Sequence, residues 1–320
     1  MSVIAVAGFN SALDTIAEAD AIRAGDVIRL SSVTAYPGGK GVHVAQTCGG
    51  VLGEAVRLVG LIDEGNQALF ERVLSERAVT FRGVKMPGRL RTCYAIRDAT
   101  GQITELLESG PPIEPDNVAQ LEQVFLDACE GASVAVLSGS LPSGAPASLY
   151  ASLIAQLRDR NRGAHVIVDT SGTALEQALA AGPTVVKPNR EEASRLIGHE
   201  LSTMDDAMHA VREIAHRGIR IAIVSMGSEG AAVSWNGRFA RIHVPVQSAI
   251  DSAGLRAGAV GSGDCFVGGL AVALARSEGA DDALRLAAAC GAANVLTPEP
   301  GWCRSEDVDR LIREARIEWL

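Results

Sequence analysis

The sequence lacks several features that mark common classes of protein. None of its apolar runs reaches the ~18 residues that a membrane-spanning helix needs. Its six cysteines include no C-x-x-C pair, and no cluster of His and Cys has the spacing of zinc ligands. Buried free thiols are therefore the simplest interpretation. The first residues also lack the basic leader of a signal peptide, so we expect a cytoplasmic protein with no membrane partner.

Basic residues are in the minority, and two familiar nucleotide-binding signatures are missing. There are 29 Lys and Arg against 38 Asp and Glu, which gives a formal net charge of −9. This balance, without a Lys/Arg-rich block and interleaved aromatics, disfavours a nucleic-acid partner. The P-loop G-x-x-x-x-G-K-[ST] is absent, and no G-x-G-x-x-G follows the first apolar run. A nicotinamide dehydrogenase is therefore disfavoured as well.

What the sequence does contain is a regular alternation of apolar strands and amphipathic helices. With 320 residues, 47% of them hydrophobic, the chain can form one large α/β domain with additions. Such alternation is typical of a mostly parallel sheet covered on both faces. The Asn236-Gly237 pair predicts a hairpin over 231–244. Strands are predicted at 3–7, 56–61, 133–137, 165–169, 184–187 and 220–225. Helices are predicted at 42–52, 66–77, 115–129, 146–161, 173–181, 203–217, 264–277 and 281–296, and from 305 onward.

Two segments interrupt this alternation with short, alternating strands. We predict that they form one small sheet that stands off the main domain as a lid. The lid is assigned to 12–36 and 88–108, and the main domain to 1–11, 37–87 and 109–320.

A glycine-rich loop at 258–264 opens directly into a predicted helix. Gly261 and Gly263 break regular structure, and consecutive backbone N–H groups over 261–264 would point to one place at the positive end of the helix dipole. This arrangement predicts an anion-binding site. Asp264 within it is either a functional carboxylate or simply a helix-capping residue.

Eight short motifs follow one another along the chain, and together they are specific. They are F-N-S-A-L-D (9–14), P-G-G-K-G-V-H-V-A (37–45), R-T-C (91–93), S-G-S-L-P-S-G (138–144), V-D-T-S-G (168–172), K-P-N-R-E-E (187–192), V-S-M-G-S-E-G-A (224–231) and V-G-S-G-D (260–264). In this order they resemble the ribokinase-like carbohydrate kinases, the phosphofructokinase B family, in its 1-phosphofructokinase and tagatose-6-phosphate kinase branch. The resemblance runs nearly end to end. It implies a three-layer α/β sandwich with a small β lid, and a kinase that uses ATP and Mg²⁺ to phosphorylate a sugar hydroxyl, most readily that of a ketohexose phosphate.

The resemblance assigns the phosphoryl-transfer chemistry to three places. Asp264 is the expected general base, and the amides of Gly261, Ser262 and Gly263 are expected to hold the transferred phosphoryl group. Lys187 lies at the end of a predicted strand, where it can pair with nucleotide phosphates. Asn189 and Glu192 offer oxygen ligands for Mg²⁺, although the same pair could instead cap the next helix.

The remaining site residues are implied by the resemblance. The sugar is expected to contact Asp14, Gly38, Gly39, Lys40 and His43. A phosphate already carried by the substrate is expected at Arg29, Arg91, Ser138 and Ser140. The nucleotide is expected at Ser225, Gly227, Gly230 and Asn294. Without the family, Asp14 could equally be a turn residue, and the arginines could be solvated surface charges.

The chain departs from the family pattern at positions that bear on the sugar. His43 and Cys93 stand where the family usually has Asn, and an insertion is expected at 252–256. A site without these two side-chain amides is expected to select differently among sugars. A kinase of a non-phosphorylated sugar or a nucleoside, and a sugar-phosphate sensor without turnover, therefore stay as alternatives. The exposed face of the lid is a candidate homodimer surface, as in some relatives.

Overall fold

A ten-stranded sheet forms the centre of the molecule in the computed structural model, which describes residues 2–244, 250 and 258–320. The insertion expected at 252–256 lies outside the described residues. The strand order is β14-β13-β12-β11-β10-β9-β8-β1-β4-β5. The seven neighbouring strands from β11 to β5 in this order are parallel to one another. The pairs β11-β12, β12-β13 and β13-β14 are antiparallel. The strands are β1 (Val3–Ala7), β4 (Ala55–Ile62), β5 (Val79–Lys85), β8 (Val134–Ser138), β9 (His165–Asp169), β10 (Val185–Val186), β11 (Ile221–Ser225), β12 (Ala231–Trp235), β13 (Arg238–His243) and β14 (Arg316–Trp319).

The central strands are short apolar runs because helices cover both of their faces. Every residue of β8 is buried, and so are four of the five residues of β1. This burial confirms the predicted three-layer α/β arrangement. The helices are α1 (Lys40–Gln46), α2 (Gln67–Glu76), α3 (Pro115–Ala128), α4 (Leu149–Arg160), α5 (Gly172–Ala180), α6 (Arg190–Ile197), α7 (Met204–His216), α8 (Ser262–Ala275), α9 (Ala280–Asn294) and α10 (Ser305–Glu314).

A separate four-stranded sheet is built from the two segments that interrupt the alternation, as predicted. Its order is β3-β2-β6-β7, in which β2 and β6 are parallel and the outer pairs antiparallel. The strands are β2 (Ala12–Glu18), β3 (Ser32–Gly38), β6 (Arg91–Arg97) and β7 (Ile103–Leu107). Two residues at the carboxyl end of β3, Pro37 and Gly38, are buried and lead directly into α1.

Several elements differ from the sequence-based prediction, among them α6, which is missing from the predicted helices. The helix expected over 42–52 is α-helical only to Gln46 and continues as a π-helical turn over Thr47–Val51. Gly49 and Gly50 in that turn lie against the backbone of Arg77 and the ring of Trp302, an approach that a side chain would block. Strands β5 and β14 were not predicted, because each lies at a sheet edge and mixes polar with apolar residues.

Within the described part of the chain, no helix combines the length and apolarity that crossing a membrane requires.

Candidate active site

One large cleft of about 1300 Å³ lies between the small sheet and the carboxyl ends of the parallel strands. Open parallel sheets bind ligands at this edge because the loops after the strands converge there. With three exceptions, Gly38, Arg29 and Asn294, every site residue predicted from the sequence lines this cleft. The members are Asp14, Gly39, Lys40, His43, Arg91, Ser138, Ser140, Lys187, Asn189, Glu192, Ser225, Gly227, Gly230, Gly261, Ser262, Gly263 and Asp264.

His43 lies between two carboxylates at the centre of the cleft. Its Nδ1 is 2.8 Å from Oδ2 of Asp264 and forms a hydrogen bond with it. Its Nε2 is 2.8 Å from Oδ2 of Asp14, an ion pair that is less well aligned with the ring N–H than a hydrogen bond. Burial opposes the charged imidazolium, but the two carboxylates outweigh it and raise the pKa of His43 to about 10. The three side chains therefore form one charged unit, here called the His43 triad.

Glycines allow this triad to pack closely. A Cβ at Gly38 would lie 2.1 Å from Cγ of Asp14, so the carboxylate rests directly on the backbone of β3. Gly38 therefore supports Asp14 from behind, without lining the cleft. A Cβ at Gly301 would lie 2.0 Å from Cγ of His43, so this backbone packs against the imidazole ring. Gly39, with φ of 97°, donates its N–H to Oδ2 of Asp14 at 3.4 Å.

Two lysines meet on one buried carboxylate deeper in the cleft. Nζ of Lys187 is 3.2 Å from Oδ1 of Asp169, and Nζ of Lys40 is 3.7 Å from Oδ2. Burial acts to raise the pKa of Asp169, but the two ammonium groups outweigh it and hold this pKa below its usual value. Asp169 in turn raises the pKa of Lys40. Both lysines therefore carry positive charge into the cleft. An anionic ligand could bind these local charges although the net charge of the chain is negative.

The glycine-rich loop supplies fewer free amides than the sequence suggests. Gly261, with φ of 85°, caps α8, and its carbonyl accepts hydrogen bonds from the amides of Asp264 and Cys265. The Ser262 amide donates to the carbonyl of Ala259. The prediction that all four amides point to one anion is therefore wrong for Ser262 and Asp264. The amides of Gly261 and Gly263 are not among these donors, and Gly263 lies beside Nζ of Lys187.

The structure also corrects the prediction that Asn294 contacts the nucleotide. Asn294 is only 1% exposed, and its side chain donates to the carbonyl of Val260 at 2.9 Å and to Oγ of Ser262 at 3.0 Å. It lies behind the glycine-rich loop and fixes it to α9. Its signal in the sequence is an isolated polar residue in an alanine-rich helix, which indicates a buried hydrogen bond as readily as a ligand.

Asn189 and Glu192 form the capping box that the sequence left open as an alternative. Oδ1 of Asn189 accepts from the Glu192 amide, and Oε2 of Glu192 accepts from the Asn189 amide, both at 2.9 Å. Oε1 of Glu192 is 3.7 Å from Nζ of Lys40. No group of three or more His, Cys, Asp or Glu side chains among the described residues has the arrangement of a metal site. This donor set fits a Mg²⁺ ion held mainly by nucleotide phosphates and water, not one enclosed by protein ligands.

A less polar part of the cleft lies beyond the capping box. Ser225 ends β11 and forms a β-bridge with Asn189, which brings the segment 225–230 next to the capping box of α6. Gly227 and Gly230 both have positive φ there. Apolar or small residues complete this end: Met226, Ala231, Ile242, Val244, Ile250, Phe266, Ala288, Ala292 and Val295.

The other end of the cleft is polar. Ser138 at the end of β8 is buried, and its Oγ has no hydrogen-bond partner within the described residues. Asn10 donates to Oγ of Ser140 at 2.9 Å, and its carbonyl accepts from the Arg91 guanidinium at 3.2 Å. Arg29 is exposed and lies outside the cleft, so the structure does not bring it to this group.

Asp169, Asn10 and Gly301 are site residues that the sequence analysis did not single out. Asp169 had a usable signal, because it ends a buried apolar strand within V-D-T-S-G. Asn10 lies in the F-N-S-A-L-D motif but bears no charge. Gly301 is 258 positions from His43 in a loop without a periodic pattern, and only the tertiary structure brings the two together.

Comparison with known proteins identifies the fold and the family. The structure superimposes on phosphofructokinase-2 from Escherichia coli, solved in complex with fructose-6-phosphate, with a TM-score of 0.86 and 26% identity over 98% of this chain and 99% of that one. It also superimposes on a possible 1-phosphofructokinase from Thermotoga maritima, with a TM-score of 0.85 and 22% identity over 99% of both chains. The family model described as pfkB family carbohydrate kinase matches residues 4–306. The chain therefore belongs to the pfkB family of carbohydrate kinases and is a sugar kinase.

Proposed function

We propose that this sugar kinase transfers the γ-phosphoryl group of ATP, with Mg²⁺, to a hydroxyl of a ketohexose phosphate, with Asp264 as the general base. The observation that carries the proposal is the position of Asp264 in the cleft. On one side its carboxylate contacts His43, which in turn contacts Asp14, and on the other its helix begins beside Lys187. An acceptor hydroxyl and a phosphoryl group can therefore meet at this carboxylate.

The reaction follows from these positions. Asp264 accepts the proton of the acceptor hydroxyl. At the same time the hydroxyl oxygen bonds to the γ-phosphorus, and the bond between this phosphorus and the ADP oxygen breaks. The amides of Gly261 and Gly263, together with Lys187 and Lys40, face the negative charge that spreads over the phosphoryl oxygens. Bound Mg²⁺ would neutralise nucleotide phosphate charge, held through water by Glu192 and Asn189.

The polar end of the cleft supports a substrate that already carries a phosphate. The Arg91 guanidinium and the hydroxyls of Ser138 and Ser140 line the cleft there, and the Ser138 hydroxyl has no partner among the described residues. Guanidinium and hydroxyl groups bind phosphate by charge-assisted hydrogen bonds. The small sheet, which we assign as the lid, carries Asp14, Cys93 and Glu105 to this side of the cleft and would exclude water when it closes.

A homodimer through the lid is also part of the proposal. One solved structure of phosphofructokinase-2 from Escherichia coli, 26% identical to this chain, is described as a tetrameric inhibited form. The exposed apolar side chains of the lid, Val27, Val33 and Leu106, are the surface that we assign to a partner copy.

The base assignment is tested by Asp264→Asn. An amide cannot accept the hydroxyl proton, so kcat should fall by roughly 10²–10⁴-fold, while ATP affinity, measured by calorimetry, changes little. Near-normal turnover in this variant would remove Asp264 as the base.

The substrate class is tested by ADP release over ketose phosphates, aldose phosphates, free sugars and nucleosides. We expect turnover with a ketohexose phosphate, and Arg91→Ala should raise the KM for phosphate-bearing sugars. Turnover of free sugars or nucleosides alone, unaffected by Arg91→Ala, would favour the plain-sugar alternative. Binding without ADP release for any compound would favour the sensor.

A further inference from the structure

The geometry of the His43 triad fixes how many protons it holds. Each ring nitrogen of His43 lies 2.8 Å from a carboxylate oxygen in a buried setting, where His43 is 4% exposed. If a nitrogen without a proton faced an ionised oxygen at this distance, two lone pairs would repel each other in a low-dielectric environment. Each contact therefore requires a proton between its nitrogen and its oxygen. A neutral imidazole supplies one of these two protons, and with both carboxylates ionised the second must also lie on the ring.

The groups around the triad come from several elements. Asp14 belongs to β2, and Cys93 of β6 and Glu105 of β7 face it; Asp14 contributes to raising the pKa of both groups, in each case after burial. Asp264 and the buried Cys265 approach from α8, and Lys40 precedes His43 on α1. Gly301 covers the ring with backbone alone. Within the described residues, the carboxylates of Asp14 and Asp264 are the groups that touch the imidazole nitrogens.

Both contacts use Oδ2, which leaves the other oxygen of each carboxylate outside them. A base held through one oxygen keeps its second oxygen in a fixed direction, and catalysis is sensitive to such placement.

We propose that His43, as an imidazolium, is a positioning residue that orients the base Asp264 and joins it to Asp14, the residue expected to bind the sugar. This inference rests on the proposed function for the role of Asp264. The positive charge of His43 then neutralises one of the two carboxylate charges, so the acceptor binds next to a triad with a single net negative charge. Loss of one proton from His43 would make one of the two contacts repulsive and break the link between Asp264 and Asp14.

The first test reads the protonation of His43 without any turnover. The protein labelled with ¹⁵N-histidine is examined by NMR, and the His43 signals are identified by their absence in His43→Gln. We expect both ring nitrogens to carry protons at pH 8, where an ordinary imidazole, with a pKa of about 6.5, is neutral. A neutral ring at pH 8 would overturn the proposal.

The second test is the pH dependence of kcat for the wild type and His43→Gln. A glutamine amide donates from only one end, so one carboxylate loses its partner. We expect kcat to fall by roughly 10²-fold in the variant. We also expect the wild type to lose activity above about pH 9, and this alkaline loss to be absent from the variant profile. A purely structural role would lower kcat and leave the alkaline limb in place.

His209→Asn is the matched control, because His209 is exposed on α7 and pairs with Glu213. Its kcat and pH profile should equal those of the wild type. The two proposals can fail separately: normal turnover of Asp264→Asn would remove the base and leave the NMR result standing, whereas a neutral His43 would remove the positioning role and leave the base.

Discussion

A buried imidazolium between two carboxylates links the chemistry of the site to the stability of the fold. Each charge alone would be costly to bury, and the cost is offset only while all three partners are in place. In the unfolded chain His43 has its ordinary pKa of about 6.5, whereas in the folded protein the pKa is about 10. The folded state therefore binds this proton more tightly than the unfolded state does.

From this difference we predict how His43 affects unfolding at each pH. A raised pKa stabilises the fold fully below about pH 6.5, and this stabilisation is lost as the pH rises toward 10. The difference in free energy of unfolding between wild type and His43→Gln should be largest near pH 6 and shrink steadily up to pH 10. Urea denaturation at several pH values measures it. A difference that grows with pH would contradict the assigned charge.

Gly301 allows a second prediction at the residue scale. In Gly301→Ala the new Cβ would lie 2.0–2.3 Å from three atoms of His43, and φ of 64° would add backbone strain. We expect the imidazole to be displaced and kcat to fall by roughly 10²-fold. The measurement is steady-state kinetics beside thermal unfolding.

Gly182→Ala is the control that separates the effect of contact with His43 from the effect of backbone strain. Gly182 has a similar φ of 73° but nothing within 4 Å of the added Cβ. It should lose about 1–2 kcal/mol of stability from the left-handed conformation and retain wild-type kcat. If Gly301→Ala behaved in the same way as Gly182→Ala, the packing of residue 301 on His43 would not matter for catalysis.

Among the elements, α6 and α7 both begin with a capping box, but only that of α6 lies inside the cleft. Asn189 and Glu192 form a capping box on α6 inside the cleft, and Thr203 and Asp206 form one on α7 outside it. Asn189→Ala should cost about 1 kcal/mol of stability and raise the Mg²⁺ concentration needed for half-maximal rate.

Thr203→Ala is the control for that change. It removes the same kind of cap and should lower stability to a similar extent, with the Mg²⁺ requirement unaltered. Denaturation and Mg²⁺ titration of both variants provide the comparison. Equal Mg²⁺ requirements in the two variants would leave Asn189 with a capping role only.

The same elements show what the sequence could and could not predict. Buried strands such as β8, and the loop-to-helix transition before α8, follow from local apolar pattern and glycine content, so they were predictable. Edge strands β5 and β14 owe their pairing to neighbours distant in the chain. The side-chain partners of the site are non-local in the same way: Asn294 against Ser262 and Gly301 against His43 are set by tertiary packing. The motifs therefore identified the residues of the cleft, and the structure identified their contacts.

At the scale of the whole molecule, the cleft is completed by a small sheet in which β3 is an edge strand among the described residues. β3 pairs with β2 on one side, and residues 32–35 of this strand are exposed. Val33 is 58% exposed and Val27 88% exposed. An exposed edge strand with apolar residues is unfavourable in an isolated molecule, because its free N–H and C=O groups invite pairing with another chain.

We therefore expect the protein to sediment as a dimer at micromolar concentration, and Val33→Arg to shift it toward monomer. The arginine would place two like charges at a symmetric contact and remove apolar area from an interface that needs about 800 Å² per partner. Leu320→Arg is the matched control: Leu320 is 61% exposed, but it follows β14 on the large sheet, so this variant should remain dimeric. Sedimentation velocity over a range of concentrations distinguishes the cases. A wild type that is monomeric throughout, or a Leu320→Arg variant that dissociates while Val33→Arg does not, would show that the lid edge faces solvent and that the small sheet serves the cleft alone.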